Sequence, residues 1–265
     1  MKELYTHYII TRFNIVQNWL VECNSRMRKS TIQTPEWLLE RFRLFEKYCF
    51  PSVRNQTCKD FVWLVLFDDK TPKSFITRIF AYQKQFPSFT PLFLEQNSDE
   101  EIFVRKYIRF NTNTEYLITT RLDSDDIIND KYVEWIQNHF KEQKDIIINY
   151  ERGYQYDAIH KLLYSYLADS NHFFSRIEYF DKNALPQTVI GLDHTKLKEL
   201  PYSSYREDNP LWIEVVHSCN VANSVIQSSP IWKPSGGFGT MINIDIIQTA
   251  VQYFLLLYKR LKNDD

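Results

Sequence analysis

Apolar runs of strand length alternate with amphipathic stretches of helix length through residues 1–150. The continuous apolar runs predict strands at 7–13, 61–69, 91–96, 116–122 and 145–150. Apolar positions at helical spacing predict helices at 34–56, 74–86, 98–110 and 130–143. Continuous apolar strands separated by helices are typical of a mostly parallel sheet covered by helices on both faces. The sequence therefore predicts an α/β fold.

The helix predicted at 34–56 has a clear start signal. Thr34 is a candidate N-cap, and Pro35 stands at the first helical position, where its missing N–H costs nothing. Pro51 is expected to break or kink the helix, because it cannot donate a hydrogen bond to the preceding turn.

The second half of the chain is less regular. It is rich in Tyr, Phe and Ser, and its strand-like pieces at 172–180, 188–192 and 211–217 are short. We expect an irregular C-terminal portion of the same domain. The last apolar stretch, 246–262, predicts a final helix that packs on the domain. Because this helix ends in a basic turn, peripheral membrane contact is the alternative.

Composition and charge exclude several classes. With 32 basic and 33 acidic residues the net charge is −1, so no global field favours nucleic acid. No apolar run is long enough to span a membrane, and the N-terminal stretch lacks the apolar core of a signal peptide. The cysteines form no CxxC pair and predict reduced thiols; they are Cys23, Cys49, Cys58 and Cys219. These features favour a cytoplasmic protein.

Three acids within four positions follow the strand predicted at 116–122. They are Asp123, Asp125 and Asp126 in the stretch "LITTRLDSDD" (117–126). Carboxylates this close repel one another and need water or a cation. In parallel sheets ligands bind at the carboxyl ends of the strands. The strand at 61–69 also ends in acids, which places a second pair at the same edge.

Several interpretations of the acid cluster compete. The simplest is a solvated turn in which one acid caps local structure and Asp130 starts the next helix. A calcium loop is excluded, because Ile128 stands where such a loop needs glycine. An aspartate-based phosphotransferase would use Asp123 as nucleophile and Asp125 as acid, but Ile127 replaces the Thr or Val expected after them.

A DxD metal site is the fourth interpretation. Asp123 and Asp125 stand one residue apart, and Mg²⁺ or Mn²⁺ takes one or two carboxylates together with diphosphate oxygens. The cation would neutralise the charge that grows on a departing nucleoside diphosphate.

Four stretches, taken in order, resemble a known family. They are "YIITRFN" (8–14), "SVRNQTCKDFVWLVLFDDKTP" (52–72), "TTRLDSDDIINDKYV" (119–133) and "LWIEVVHSCNVAN" (211–223). Together they resemble the putative rhamnosyltransferase family of bacterial glycosyltransferases, which is similar to the family-2 glycosyltransferases. The resemblance implies a single GT-A-like domain over 1–265, with a nucleotide-sugar half at 1–150 and an acceptor half with the C-terminal helix at 151–265. It also implies inverting transfer from a UDP- or dTDP-sugar with Mn²⁺ or Mg²⁺.

The resemblance assigns residues to the donor. Arg12 and Asn14, after the first strand, are expected near the nucleotide, and Asp68 or Asp69 is expected to bond the base. Arg121 is expected to contact the donor or hold the loop.

The resemblance also implies a metal site. Asp123 and Asp125 would form the DxD pair, with Asp123 also contacting the donor, and His217 would be a further ligand. Strand alternation places His217 on the same face as Ile213 and Val215. His194 is the competing histidine.

A base must take the proton from the attacking hydroxyl. Asp208 is expected to be this base, with Glu207 as the alternate, because "REDN" (206–209) resembles the acid pair that precedes the late histidine in many GT-A enzymes. The acceptor implied is a glycan or glycolipid precursor, reached in the cytoplasm or at the inner face of the membrane. The rival function is a non-catalytic nucleotide- or sugar-binding protein on the same fold.

Overall fold

A seven-stranded sheet forms the centre of the protein, and a five-stranded sheet joins it. The computed structural model describes residues 4–15, 34–96, 98–218, 225, 228–239 and 241–263. The strands are β1 (Tyr5–Arg12), β2 (Val62–Asp68), β3 (Phe89–Leu94), β4 (Tyr116–Arg121), β5 (Ile127–Ile128), β6 (Asp145–Tyr150), β7 (Arg152–Asp157), β8 (Leu162–Leu167), β9 (Ser175–Tyr179), β10 (Tyr202–Tyr205), β11 (Trp212–Val216) and β12 (Pro230–Ile231). The helices are α1 (Pro35–Leu44), α2 (Phe50–Arg54), α3 (Lys73–Gln85), α4 (Glu100–Asn111), α5 (Tyr132–Asn138) and α6 (Ile246–Asn263).

The large sheet is mostly parallel, as predicted. Its strand order is β10-β6-β9-β4-β1-β2-β3. β1 pairs in parallel with β2 and β4, β2 with β3, and β10 with β6. β9 is inserted in the opposite direction between β4 and β6. The carboxyl ends of β1, β2, β4 and β10 therefore meet at one edge, together with the start of β9.

Both faces of the large sheet are buried, which explains the continuous apolar runs. Alternate residues of β1 and β2 enter different core clusters: Ile9 and Val65 belong to one, Ile10 and Leu64 to the other. The first cluster also takes side chains from α1, α2, α3 and α5, and the second takes side chains from α4. The predicted α/β class is confirmed.

The helix that starts at Pro35 has the predicted cap, because Thr34 Oγ1 accepts a hydrogen bond from Trp37 N at 3.3 Å. It does not stop at Pro51. A π-helical segment, Phe45–Cys49, links α1 to α2, and Pro51 lies in the first turn of α2. The wider π turn lies directly before Pro51, which has no N–H to donate. The helix therefore continues past Pro51 to Arg54.

The second sheet has the order β12-β8-β7-β11-β5. The short piece predicted at 211–217 is β11, and it is parallel to β7. The alternation predicted for it is confirmed: Trp212 enters the first core cluster, whereas Ile213 and Val215 enter a third cluster. The strands β7 and β8 make this half of the chain more regular than its sequence indicates.

The final helix is present but barely packed. Within α6, Thr249 is buried, whereas most of the large apolar side chains are exposed. The helix contacts β12, but the expectation that its apolar residues pack on the domain is wrong. Within the described ranges, no helix is both long and apolar enough to cross a membrane.

The cysteines that the structure describes are unpaired. Cys49 is buried and Cys58 is partly buried, and both are free thiols. Cys23 and Cys219 lie outside the described residues.

Candidate functional site

The acid cluster lies where the two sheets meet. β4 ends at Arg121 in the large sheet, and β5 begins at Ile127 in the small one. Asp123 is partly exposed, whereas Asp125 is 8% exposed and Asp126 3%. Carboxylates this buried need compensating partners.

Three side chains form a group that could hold one metal ion. Single ligand atoms of Asp123, Asp126 and His172 all lie within 4.8 Å of one another. Two carboxylate oxygens and an imidazole nitrogen suit a divalent ion such as Mn²⁺. We refer to these three residues as the Asp–Asp–His cluster.

Asp126 is the buried anchor of this cluster. Its Oδ1 accepts a hydrogen bond from Val215 N at 2.8 Å, and its Oδ2 lies 2.9 Å from His172 Nε2. Burial raises the pKa of Asp126 to about 7, although His172 acts in the opposite direction. Burial also disfavours a charged His172, but the hydrogen bond and charge of Asp126 outweigh it and raise the pKa of that imidazole. The carboxylate of Asp126 is therefore short of positive charge, which a cation would supply.

Asp125 has partners of its own. Its Oδ2 accepts a hydrogen bond from Arg41 Nη1 at 3.0 Å and lies 2.8 Å from His217 Nε2. Arg41 also donates to Ser124 Oγ. Burial alone would raise the pKa of Asp125. The charge of Arg41 and, as a smaller effect, the hydrogen bond with His217 hold this pKa well below its usual range. The protein itself thus balances this charge.

The structure divides the residues expected to bind metal. Asp125 and His217 contact each other, as the expected site requires, while Asp123 is grouped with Asp126 and His172. His194 begins a 3₁₀-helix, and its ring centroid lies 6.1 Å from that of His172.

A small, narrow cleft lies beside Asp123 at the carboxyl ends of β1 and β4. Its lining comprises Ile10, Arg12, Arg121, Asp123, Val189 and Ile190. Arg121 donates from Nε and Nη2 to the two oxygens of Asp123 at 3.4 and 3.3 Å. Arg12 is paired with Glu100 in the first turn of α4. Two guanidinium groups next to a carboxylate suit a diphosphate that also carries a cation.

The residues expected near the nucleotide lie around the ends of β1 and β2. Asn14 Oδ1 accepts a hydrogen bond from Asp68 N at 3.1 Å. The Asp68 carboxylate accepts from Lys70 N at 2.7 Å and from Gln96 Nε2 at 3.2 Å. Asp69 Oδ2 lies 3.2 Å from Lys70 Nζ, whereas Asp69 Oδ1 is buried without a hydrogen-bond partner among the described residues. Asp69 Oδ1 is therefore an acceptor without a partner, whereas the Asp68 carboxylate is fixed by Lys70 and Gln96.

The candidate bases lie further along the same edge. Glu207 and Asp208 follow β10, which is separated from β4 by β6 and β9. At about 4.8 Å per strand, three strand steps place them roughly 14 Å from the end of β4. Asp208 is exposed, and its carbonyl oxygen accepts from Arg152 Nη1 at 3.2 Å. In the described part of the chain, no hydrogen bond or ion pair joins either carboxylate to the Asp–Asp–His cluster, and the role of base stays a prediction.

A family model described as "Putative rhamnosyl transferase" matches residues 7–229. The chain belongs to this family. The matched span contains every site residue described above, and α6 lies beyond it. No curated protein matches the chain in sequence.

This family member resembles the following solved structures with TM-scores below 0.5. Residues 1–349 of TarS from S. aureus, in complex with UDP-GlcNAc, align with a TM-score of 0.45 and 14% identity over 83% of this chain and 62% of that one. The mannosyltransferase PcManGT from Pyrobaculum calidifontis, in complex with GDP-Man and Mn²⁺, gives 0.37 and 10% over 81% and 58%. The inositol-1-phosphate CTP transferase from T. maritima gives 0.37 and 12% over 84% and 94%. The chain thus spans about three fifths of the TarS and PcManGT chains.

Three residues around the candidate site of this rhamnosyl transferase family member were given no role in it from the sequence. Asp126 stands next to the DxD pair, directly before β5. Only the folded structure shows that it, rather than Asp125, lies beside Asp123 and His172. His172 lies 46 positions further on, and the antiparallel insertion of β9 brings it to the edge where β4 ends. Arg41 reaches Asp125 from 84 positions away, and no local pattern marks it.

Proposed function

We propose that the protein transfers a sugar from a nucleoside diphosphate sugar to a hydroxyl group of a glycan or glycolipid precursor, with a divalent cation, Mn²⁺ or Mg²⁺. The observation that carries the proposal is the Asp–Asp–His cluster beside a cleft that holds two arginines. Family membership supports the reaction class. The donor is a UDP- or dTDP-sugar, and the family description supports a rhamnosyl group as the sugar to test first.

The side chains around the cleft have distinct tasks in this proposal. The Asp–Asp–His cluster would hold the cation, which supplies positive charge to the leaving diphosphate. Arg12 and Arg121 flank the diphosphate, and Asp69, whose Oδ1 has no hydrogen-bond partner among the described residues, accepts a hydrogen bond from the nucleobase. Arg41 and His217 keep Asp125 ionised and fix the loop between Asp123 and Asp126.

The transfer inverts the anomeric centre. The acceptor oxygen forms a bond to the anomeric carbon while the bond from that carbon to the diphosphate oxygen breaks on the opposite face. The hydroxyl proton passes to Asp208 or Glu207, and the nucleoside diphosphate departs with the bonding electrons. The donor would bind to 1–150 and the acceptor to 151–265, although His172 from the second part completes the cluster.

Ligand-dependent stability tests the donor site. Thermal unfolding is measured with UDP, GDP, dTDP and CDP, each with and without Mn²⁺. A ligand that binds only the folded state raises the free energy of unfolding by about 2.7 kcal/mol at a hundred times its Kd. We expect one nucleotide to stabilise the protein only with Mn²⁺, and this effect to be lost in Asp126→Asn and kept in Asp130→Asn, a matched change outside the cluster. Stabilisation without any need for metal or Asp126 would contradict the site.

Product analysis separates the rival functions. A glycosyltransferase releases a nucleoside diphosphate from dTDP-rhamnose or UDP-sugars, whereas an aspartate-based phosphotransferase releases phosphate. Metal-dependent binding without turnover of any donor would favour the non-catalytic binding protein.

The two candidate bases are tested one at a time. Removal of a general base lowers kcat by about 10²–10⁴-fold. We expect this loss in Asp208→Asn or Glu207→Gln, with nucleotide stabilisation retained. Transfer at the normal rate in both variants would refute the base assignment.

A further inference from the structure

The helix α6 carries a large apolar surface on its outside. The exposed apolar residues along it are Ile246, Ile247, Val251, Tyr253, Phe254, Leu255, Leu257, Tyr258 and Leu261, with Ile247 76% and Phe254 67% exposed. A contiguous apolar patch of this size on a soluble protein marks an interaction surface.

The helix is oriented opposite to an ordinary surface helix. With about 100° per residue, Thr249, Gln252 and Leu256 share one side. Thr249 is buried and the other two are partly buried, as is Ala250, which lies about 100° around the helix from Thr249. Ile247, Val251, Phe254, Tyr258 and Leu261 lie on the opposite side, which is exposed. A packed surface helix turns its apolar stripe to the core and its polar face to water. Here the apolar stripe is turned to water.

The charges on α6 identify what covers this face. The segment 246–263 contains Lys259, Arg260 and Lys262 and no Asp or Glu, and acids flank it at Asp245, Asp264 and Asp265. Lys262 Nζ lies 5.1 Å from the centre of the Tyr258 ring, at the border of the apolar stripe. Aromatic rings and lysines along an apolar stripe match the interface between acyl chains and anionic headgroups. A second copy of the segment 246–263 laid on this face would add three more cations, whereas anionic headgroups would neutralise those already present.

We propose that α6 lies in the surface of an anionic membrane, with its apolar stripe in the acyl region and Lys259 and Lys262 at the headgroups. This contact anchors the two sheets without spanning the bilayer. It does not depend on the proposed transfer reaction, because it concerns only α6 and lipid.

Vesicle co-sedimentation of the full chain tests the proposal. We expect binding to vesicles of equal parts phosphatidylcholine and phosphatidylglycerol, weaker binding to phosphatidylcholine alone, and weakening by salt. Lys259→Gln with Lys262→Gln should lower the partition coefficient by about fivefold per lysine. Ile247→Ser with Phe254→Ser should lower it at least about tenfold.

A matched control removes an exposed Ile and an exposed Phe from elsewhere. Phe110→Ser with Ile159→Ser, which are 80% and 60% exposed in the native chain, should leave vesicle binding unchanged. Absence of sedimentation, or sedimentation that the α6 changes do not affect, would overturn the proposal. Light scattering tests whether a second copy of the chain covers this face instead. If the protein does not bind vesicles but forms a dimer, and Ile247→Ser with Phe254→Ser dissociates that dimer, the face belongs to a second copy.

Discussion

Arg41 links α1 to the acid cluster through a buried ion pair. The Arg41 and Asp125 side chains are 14% and 12% exposed, and they meet at 3.0 Å. Removing one member of such a pair leaves the other as a buried charge without compensation. This loss lowers the free energy of unfolding by more than the intact pair contributes to it. Arg41 is therefore expected to hold the loop that carries Asp123 and Asp126.

Replacing Arg41 tests this role. Arg41→Met is expected to lower the free energy of unfolding by about 3–5 kcal/mol, measured by urea denaturation. Arg43→Met is the control, because Arg43 is 58% exposed and pairs with Glu40 on the same helix. Its loss should cost less than about 1 kcal/mol. Equal losses in the two variants would argue against the buried pair.

His7 is a buried neutral imidazole in β1. It is 2% exposed, and its Nε2 lies 2.8 Å from Thr120 Oγ1. Burial lowers the pKa of His7 to about 3. Between pH 6.5 and about pH 3, His7 binds a proton in the unfolded chain but not in the folded protein. The free energy of unfolding therefore falls as the pH falls.

The pH dependence of unfolding measures this effect. Between neutral pH and pH 5, His7 should reduce the free energy of unfolding by about 2 kcal/mol, at about 1.4 kcal/mol per pH unit. In His7→Gln this contribution disappears, and the other titrating groups contribute to both proteins alike. Parallel pH curves for the two proteins would show that His7 is not the cause.

At the level of single residues, the sequence marks only those site candidates that are neighbours along the chain. Asp123 and Asp125 stand beside a strand end, and the metal-binding role expected of Asp125 and His217 came from a family resemblance. His172 depends on the direction in which β9 enters the sheet. Strand order and direction come from contacts between distant segments, which leave no local pattern in the chain.

At the scale of elements, β7 and β11 are fitted closely around one indole. Trp212 stacks on Phe173 with ring centroids 4.8 Å apart, and its Nε1 donates to Tyr150 O at 2.8 Å. A Cβ at Gly153, on the neighbouring strand, would overlap the Trp212 ring. This glycine is required for the close approach of the ring, and β11 in turn positions His217.

Filling that space should be destabilising. Gly153→Ala is expected to lower the free energy of unfolding by about 1–3 kcal/mol, because the Trp212 ring must move. Gly236→Ala is the matched control, since nothing lies within 4 Å of a Cβ there. Urea denaturation of the two variants gives the difference. If Gly153→Ala left the free energy of unfolding unchanged, β7 and β11 could move apart without cost.

Elements with strong local signals were predicted well. The Thr34 cap and the apolar runs of β1, β2 and β4 are visible in the sequence. The strands β7 and β8 were not recognised, because their Tyr-rich segments lack the continuous apolar character of the parallel strands. Helix α6 was recognised as a helix, but periodicity does not reveal what an apolar stripe faces.

At the scale of the whole molecule, α6 contributes little to the folded body. Thr249 is its one buried residue among those described, and its hydrogen bonds to Asp245 are local. Ending the chain after Asp245 should change the free energy of unfolding by less than about 1 kcal/mol. It should also raise solubility, because the exposed stripe is removed. Urea unfolding and ultracentrifugation check both points, and loss of a cooperative transition would show that α6 belongs to the core.

The inserted strand β9 has a consequence for synthesis of the protein. β4 and β6 are complete at residue 150, but the strand that joins them begins at Ser175. A chain emerging from the ribosome therefore exposes two unpaired, apolar strand edges until β9 follows, and such edges invite pairing with other chains. This half of the large sheet therefore forms late, and the pairing of β9 with β4 brings His172 to the acids in the same step, before β10 is added beside β6.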